Sequence, residues 1–220
     1  MIAKGILFGE THSFDDLDLI LSACDIPPAQ PKTTYVTIAG ADGSVDLTEA
    51  NGEVRFSDRD CTFTFTMNPS GDLSVAAYEE QKTEVSNLLN GREFKITLDK
   101  DEDFYYQGRC TVDSYKSDGR IREIVVSAKV KPYKYKQSVT AVAIDLTSTP
   151  KTMNIANSRK SVVPEVTCTA NNTVVMFGGA TFNLSAGTHK ILDIQFVEGN
   201  NAVTVSGTGT VTFKFQEAEL

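Results

Sequence analysis

Seven consecutive residues, Cys61-Thr62-Phe63-Thr64-Phe65-Thr66-Met67, alternate without a break between apolar and polar side chains. Successive side chains of a strand point to opposite faces, so an extended backbone gathers Cys61, Phe63, Phe65 and Met67 on one side. A helix would scatter the same four around its axis. A strand that is wet on one face and dry on the other needs neighbours in a sheet and a second layer over the dry face. That requirement sets the frame for the rest of the chain.

The flanking segments supply both. Tyr35-Val36-Thr37-Ile38 and Val45-Asp46-Leu47-Thr48 bracket Gly40-Ala41-Asp42-Gly43, whose glycines can take the positive φ of a tight reversal; this predicts a β-hairpin. After Asn68-Pro69-Ser70-Gly71 the spacing changes to Tyr78, Gln81, Val85, Leu88 and Leu89, the stripe of an amphipathic helix over about 73–90, with Gly91 where a C-cap belongs. Strand signals resume at Phe94, Ile96 and Leu98. They pass an acidic turn and continue through 104–107, 110–115 and 121–130, with a reversal at Ser117-Asp118-Gly119.

In Lys131-Pro132-Tyr133-Lys134-Tyr135-Lys136 the proline cannot donate a ladder hydrogen bond, so it stops a central strand and marks a boundary. Its lysines are expected to be solvated and its tyrosines to pack on a neighbouring domain, rather than to stack on nucleic acid. From Val139 onward the pattern is short β segments at 141–146, 166–169, 174–177, 181–184, 191–196, 203–206 and 211–215, with polar turns between them and no helix signal; Gly207-Thr208-Gly209-Thr210 reads as one of those turns. The fold class is mainly β: a β-rich α+β domain with one helix over 1–136 and a β-sandwich over 137–220. Charge supports the division, since 1–136 is net −7 and 137–220 net −1.

Several function classes are excluded by what the chain carries. A total charge of −8 opposes binding to a phosphate backbone. The apolar start ends at Glu10, too short for a signal-peptide core, and no run approaches the ~18 apolar residues of a membrane span, so synthesis in the cytoplasm is expected. Cys24, Cys61, Cys110 and Cys168 lie 37, 49 and 58 residues apart, and only His12 and His189 could join them at a metal; reduced structural thiols are expected, with no cofactor and no metal.

Candidate chemistry is thin. Asp99-Lys100-Asp101-Glu102-Asp103 opens like a calcium loop but has Phe104 where the turn needs Gly and Cys110 where a bidentate Glu is needed, so a solvated hairpin turn is expected. No nucleophile, zincin or phosphate-loop motif occurs, and His12 and His189 read as turn residues. Asp15, Asp16 and Asp18, at an apparent loop-to-strand entry, and Glu79 and Glu80, on the polar side of the helix, read as solvated faces rather than paired catalytic carboxylates. The chain is expected not to be an enzyme.

The stretch from Tyr35 through Gly40, Gly43 and Asp46 to Thr48, followed by Arg59 ahead of the aromatic alternating strand, resembles the belt domain of siphophage distal tail proteins, the Dit family. Leu88-Leu89-Asn90-Gly91-Arg92, Tyr105-Tyr106-Gln107-Gly108-Arg109 and Lys131-Pro132-Tyr133-Lys134 match in the same order. So do Val163-Pro164-Glu165-Val166, Leu184-Ser185-Ala186-Gly187-Thr188 and the end from Glu198-Gly199-Asn200-Asn201 to Leu220. Ala39 departs from the pattern, which usually has proline before Gly40.

The resemblance implies a virion component at the tail tip of a phage or prophage: a baseplate hub of six belt domains in a ring, each with a galectin-like β-sandwich projecting outward. Its implied partners are further copies of itself, the tail tube protein, a tail-tip or tail-associated protein and a receptor-binding protein, with no membrane and no sequence-specific nucleic acid. An acidic belt would give such a ring a non-sticking lumen. Gly40, Gly43, Asp46, Leu47 and Thr48, with the amino-terminal segment, are the expected oligomer contacts. The rival reading is a carbohydrate-binding β-sandwich. It lacks tryptophan, and it has only Phe177, Phe182, Phe196, Phe213 and Phe215 in the second domain, most of them at core-like positions.

Overall fold

The computed structural model describes residues 5–50, 52–68, 71, 72, 74–118 and 121–220. It divides into two compact units, Met1–Lys134 with Leu220, and Tyr135–Glu219. In the first unit the strands are β1 (Ile6–Phe8), β2 (Thr11–His12), β3 (Leu19–Asp25), β4 (Tyr35–Thr37), β5 (Ser44–Asp46), β6 (Arg59–Met67), β7 (Glu93–Leu98), β8 (Asp101–Asp118) and β9 (Ile121–Val130), with the helix α1 (Val75–Leu89) between β6 and β7. Seven of them form one antiparallel sheet in the order β2-β1-β7-β8-β9-β6-β3.

The alternating run is the heart of this sheet. On β6, Cys61, Phe63, Phe65 and Met67 are buried while Thr62, Thr64 and Thr66 face outward. β9 lies beside β6 in register, Phe63 opposite Val126 and Phe65 opposite Ile124, and Phe8 meets Phe63 and Phe65 edge-on at 6.4 and 6.3 Å. The dry face is covered by α1, which buries Tyr78, Gln81, Val85 and Leu89 against it. Ser74 caps that helix by accepting from the Ala77 amide at 3.2 Å, and the positive φ of Gly91 (76°) turns the chain out of it. Leu73, Pro69, Ser70 and Gly119, which the sequence assigns to the helix start and to two turns, lie outside the described residues.

Two strand segments expected on either side of Gly108 are one strand, β8, bulged between Val112 and Ser114. Glycine does not break it, because an added Cβ at 108 would sit 2.3 Å from the Lys129 carbonyl oxygen; the residue is small to let β9 pass. His12, expected in a turn, is on β2, and its Nε2 is 3.0 Å from the Asp99 carboxylate. The acidic turn therefore is not wholly solvated: Asp99 meets His12, and Asp101 pairs with Lys134 at 2.8 Å.

The second unit carries β10 (Lys134–Lys136), which begins at the division, β11 (Thr140–Asp145), β12 (Lys151–Asn157), β13 (Glu165–Cys168), β14 (Thr173–Phe177), β15 (Ala180–Leu184), β16 (Gly187–Lys190), β17 (Gly199–Ser206), β18 (Thr210–Phe215) and β19 (Ala218–Glu219). Two four-stranded antiparallel sheets, β11-β18-β13-β16 and β12-β17-β14-β15, enclose one core of Ile144, Ile155, Val166, Val175, Val203, Val211, Phe196 and Phe213. This is a β-sandwich.

Residues 191–196, expected as a strand, are irregular. Ile194 and Phe196 are fully buried, so the apolar signal marks a plug in the sandwich, while the strand lies just before it in polar β16 and includes His189, also expected in a turn. The β10 segment pairs with β19. Its lysines are not left to solvent, since Lys136 lies 3.3 Å from Glu217. Burial pushes the Glu217 carboxyl up, but hydrogen bonds from Thr140 and Ser158 and the Lys136 ammonium outweigh it and hold the group below the ordinary range.

Candidate functional site

Between β3 and β6 the chain makes an excursion over residues 26–58, of which only Ile26, at its start, packs against the described core. Its centre is the expected hairpin. Tyr35 pairs with Asp46, Val36 with Val45 and Thr37 with Ser44, and the two strands form a sheet of their own. Every residue of β4 and β5 is exposed.

The hairpin is held by its own chemistry. Thr34 donates from its amide to Thr48 Oγ1 at 3.1 Å and accepts from the Leu47 amide at 2.8 Å. Asp46 Oδ1 accepts from the Thr48 amide at 2.9 Å, and the hydrogen bonds from Thr48 keep that carboxyl below the usual aspartate range. Gly40 and Gly43 have φ of 81° and 76° at the tip, and nothing lies within 4 Å of a Cβ built on either, so both are there for backbone conformation alone.

The root is tied to the body. Lys32 donates from its amide to the Arg55 carbonyl and Ser57 to that of Gln30, at 2.8 and 2.9 Å, and the Phe56 ring meets Tyr133 edge-on at 5.9 Å. Below it, buried Arg59 donates from Nε to the Pro132 carbonyl at 2.8 Å, from Nη2 to the same oxygen, and from Nη1 to the Pro27 carbonyl at 3.5 Å. One guanidinium thus fastens the start of the excursion to the end of β9, and Pro132 stops its strand while offering the carbonyl that Arg59 reads.

The arm is apolar on both faces. Tyr35 is 61% exposed and Ile38 50%, and Val36, Val45 and Leu47 stand in solvent with them. An isolated two-stranded ribbon is marginal in water, and a patch of large apolar side chains at its surface marks a place where something else packs. The sequence places Gly40, Gly43, Asp46, Leu47 and Thr48 in this surface, and the structure brings all five together in the arm and its root. Tyr35, Val36 and Ile38 stand in the same surface and are not among the residues the sequence singles out there. The amino-terminal segment does not join them: Ile6 and Phe8 are buried in the unit's own core, and residues 1–4 lie outside the described residues.

The other candidates are structural. Cys61 and Cys110 are buried, and burial pushes their thiols up to about 11 and about 12, far from reactive thiolates. His189 bonds the Ser185 carbonyl through Nε2 at 2.9 Å. In the sandwich Phe196, Phe213 and Phe215 are buried, and Phe177 and Phe182 pack against the same core.

No family model matches the chain, and neither does any curated protein. Among solved structures, one of the SPP1 phage is similar along its whole length. It is the crystal structure of the SPP1 Dit (gp 19.1) protein, described as a paradigm of hub adsorption apparatus in phages that infect Gram-positive hosts. The two share 15% sequence identity and a TM-score of 0.71, over 98% of this chain and 99% of that one. The likeness covers both units and shows a common fold.

Proposed function

We propose that this chain is a structural component of a tailed-phage or prophage particle, a distal tail protein whose six copies form a ring between the tail tube and the host-attachment tip. The observation that carries the reading is the fold shared, end to end and unit for unit, with the SPP1 hub protein. A match confined to one unit would support only a common module; this one includes the β-rich unit, the sandwich and little else.

The arm supports the same reading. A side chain such as Tyr35 or Ile38 left in water on a ribbon without a core gains by being covered, and among the described residues no element of the first unit covers it. In a ring, the neighbouring copy is the surface within reach. On this proposal the first unit is the ring-forming belt and the second a galectin-like module facing outward toward tail-tip and receptor-binding proteins. The tail tube is the partner on the ring's face. The chain works at the tail tip of the virion after synthesis in the host cytoplasm, and it works without catalysis. A sugar-binding sandwich fits less well, since its five phenylalanines lie in or against the core instead of forming an outer platform.

The test is the solution mass of the purified chain by light scattering over a wide concentration range, with negative-stain microscopy. Rings of six subunits are expected. A strict monomer at every concentration would overturn the ring reading.

A further inference from the structure

The arm carries charge as well as apolar surface. Residues 35–49 hold Asp42, Asp46 and Glu49 and no lysine, arginine or histidine. Exposed Asp42 stands at the tip, where the Ala41 amide donates to the Ile38 carbonyl at 3.2 Å and so brings the turn round beside Ile38. Asp42 has no ion pair among the described residues. A surface that suits this tip offers an apolar seat for Ile38 and cations for the carboxylates around it.

The first unit carries such a place at the far end of β6. Met67, the last residue of that strand, Val75, the first of α1, and the Tyr78 and Tyr115 rings line a cavity of about 370 Å³. Val75 is 69% exposed there. Lys82, Lys116 and Arg122 line the same cavity against one carboxylate, Glu79, which Lys82 holds at 3.2 Å. Tyrosine rings position two of these cations: the Arg122 guanidinium carbon lies 3.4 Å from the Tyr78 ring centre, and Lys82 Nζ 5.2 Å from that of Tyr115. Arg122 also donates from Nη1 to the Ser74 carbonyl at 3.4 Å, and Lys116 stands opposite Glu123 on β9. Neither Arg122 nor Lys116 has an ion pair among the described residues. The cavity is therefore apolar with a cationic margin, in a unit that is acidic as a whole.

The arm of the same copy does not fill it. Arg59, the first residue of β6, clamps the root of the arm, and Met67 is eight residue steps further on, roughly 26 Å at the rise of a strand. Tyr35 and Ile38 stay in solvent. A second copy has both an arm to give and a cavity to fill.

We propose that the arm of one copy docks at the cavity between α1 and the strands β8 and β9 of the next, with Ile38 entering over Met67 and Val75 while Asp42 meets Arg122 and Lys116. The giving and receiving surfaces differ, so the contact is heterologous, the kind that closes into a ring when the rotation between copies allows. The inference rests on the ring reading above and names the seat of its arm. It gives one use to three features that the folding of a single copy leaves without any: the uncovered arm, exposed Val75 and a cationic cluster in an acidic unit.

Cross-linking between copies tests it. Ile38→Cys and Val75→Cys are made in separate proteins; both positions are exposed, and circular dichroism checks the folds. The two are mixed as dilute monomers, concentrated to where the native chain forms rings and treated with a short bismaleimide. The mixture should give cross-linked dimer well beyond what either protein gives alone, because like positions do not meet in a heterologous contact. The native chain supplies the background from half-buried Cys24. A mixture with no more dimer than its components alone overturns this seat and leaves the ring standing. As a second measurement, Asp42→Arg and Arg122→Asp should each raise the concentration needed for assembly at least about tenfold at low salt, and one chain carrying both should return to within about threefold of the native value. Native-like assembly of folded Asp42→Arg, or no recovery in the folded double variant, overturns the pairing of arm and cavity. A native chain that never assembles removes the ring reading and the seat with it.

Discussion

The strand β6 and the arm built on β4 and β5 are both extended, both rich in β-branched and aromatic residues and both members of the same unit, yet their apolar side chains meet opposite fates. On β6 the alternation divides the strand into a buried row ending in Met67 and an outer row of threonines. On the arm Tyr35, Val36 and Ile38 lie within four residues of each other, on both faces of the ribbon, and all stand in solvent. A strand's conformation is set locally by side-chain shape and turn chemistry. Its burial is set by whether a second layer arrives, and α1 arrives over the sheet that contains β6 but not over the arm. The difference separates what this chain does to fold from what it keeps for assembly.

The largest effect that would sharpen this contrast comes from emptying the buried row. Phe65 is fully buried and meets Phe8 at 6.3 Å. Phe65→Ala should destabilise the chain by about 3–5 kcal/mol, seen as a lower midpoint in urea with unchanged slope. A cost near that of an arm substitution would mean that β6 is not the centre of the core, and the comparison would fail at its first term.

The joint between the two regions should come next. Arg59 is the first residue of β6 and the clamp on the root of the excursion, 6% exposed with its guanidinium 5.7 Å from the Tyr106 ring centre. Arg59→Met keeps much of the stem's packing but leaves the Pro132 and Pro27 carbonyls without their charged donor. A loss of about 1.5–3 kcal/mol is expected. Because the clamp holds one end of residues 26–58, limited proteolysis should cut there sooner in the variant than in the native chain, while β6 to β9 stay protected. Cleavage spread evenly over the unit would show that Arg59 supports the sheet as a whole and not the arm's root.

Much of this was legible in the residues themselves. Cys61 to Met67 can satisfy their alternation only as a strand, and Gly40 and Gly43 announce the arm's tip by the positive φ they supply. The stripe from Tyr78 to Leu89 gives the helix, although Gln81 earns its place there by hydrogen bonds and not by apolar area. What escaped was information that resides in partners. Polar β16 is a strand because β13 pairs with it, whereas in the apolar run 191–196 Ile194 and Phe196 plug the sandwich while Leu192 stands in solvent. The candidate surface divides the same way. Its turn chemistry is written at Gly40, Asp46 and Thr48, but that Val36 and Ile38 face water follows from a covering layer that is missing, and no local pattern encodes a missing layer. Val75, Tyr115 and Arg122, far apart in sequence, share a cavity only once α1 is laid against the sheet.

The smallest expected change in stability is the one on which the comparison depends most. Val36 and Ile38 are 43% and 50% exposed and belong to no described core cluster, so replacing both with serine removes apolar area about half of which folding of a single copy leaves in water. Val36→Ser with Ile38→Ser should therefore shift the unfolding free energy of the monomer by no more than about 0.5 kcal/mol, the range of ordinary surface substitutions. The same protein should assemble poorly at concentrations where the native chain forms rings, because the part left in water becomes buried only between copies. Stability measured at concentrations too low for assembly separates the two quantities. A loss of about 2 kcal/mol or more there would mean that the arm folds back on its own unit in solution, and the residues assigned to assembly would belong to the core after all.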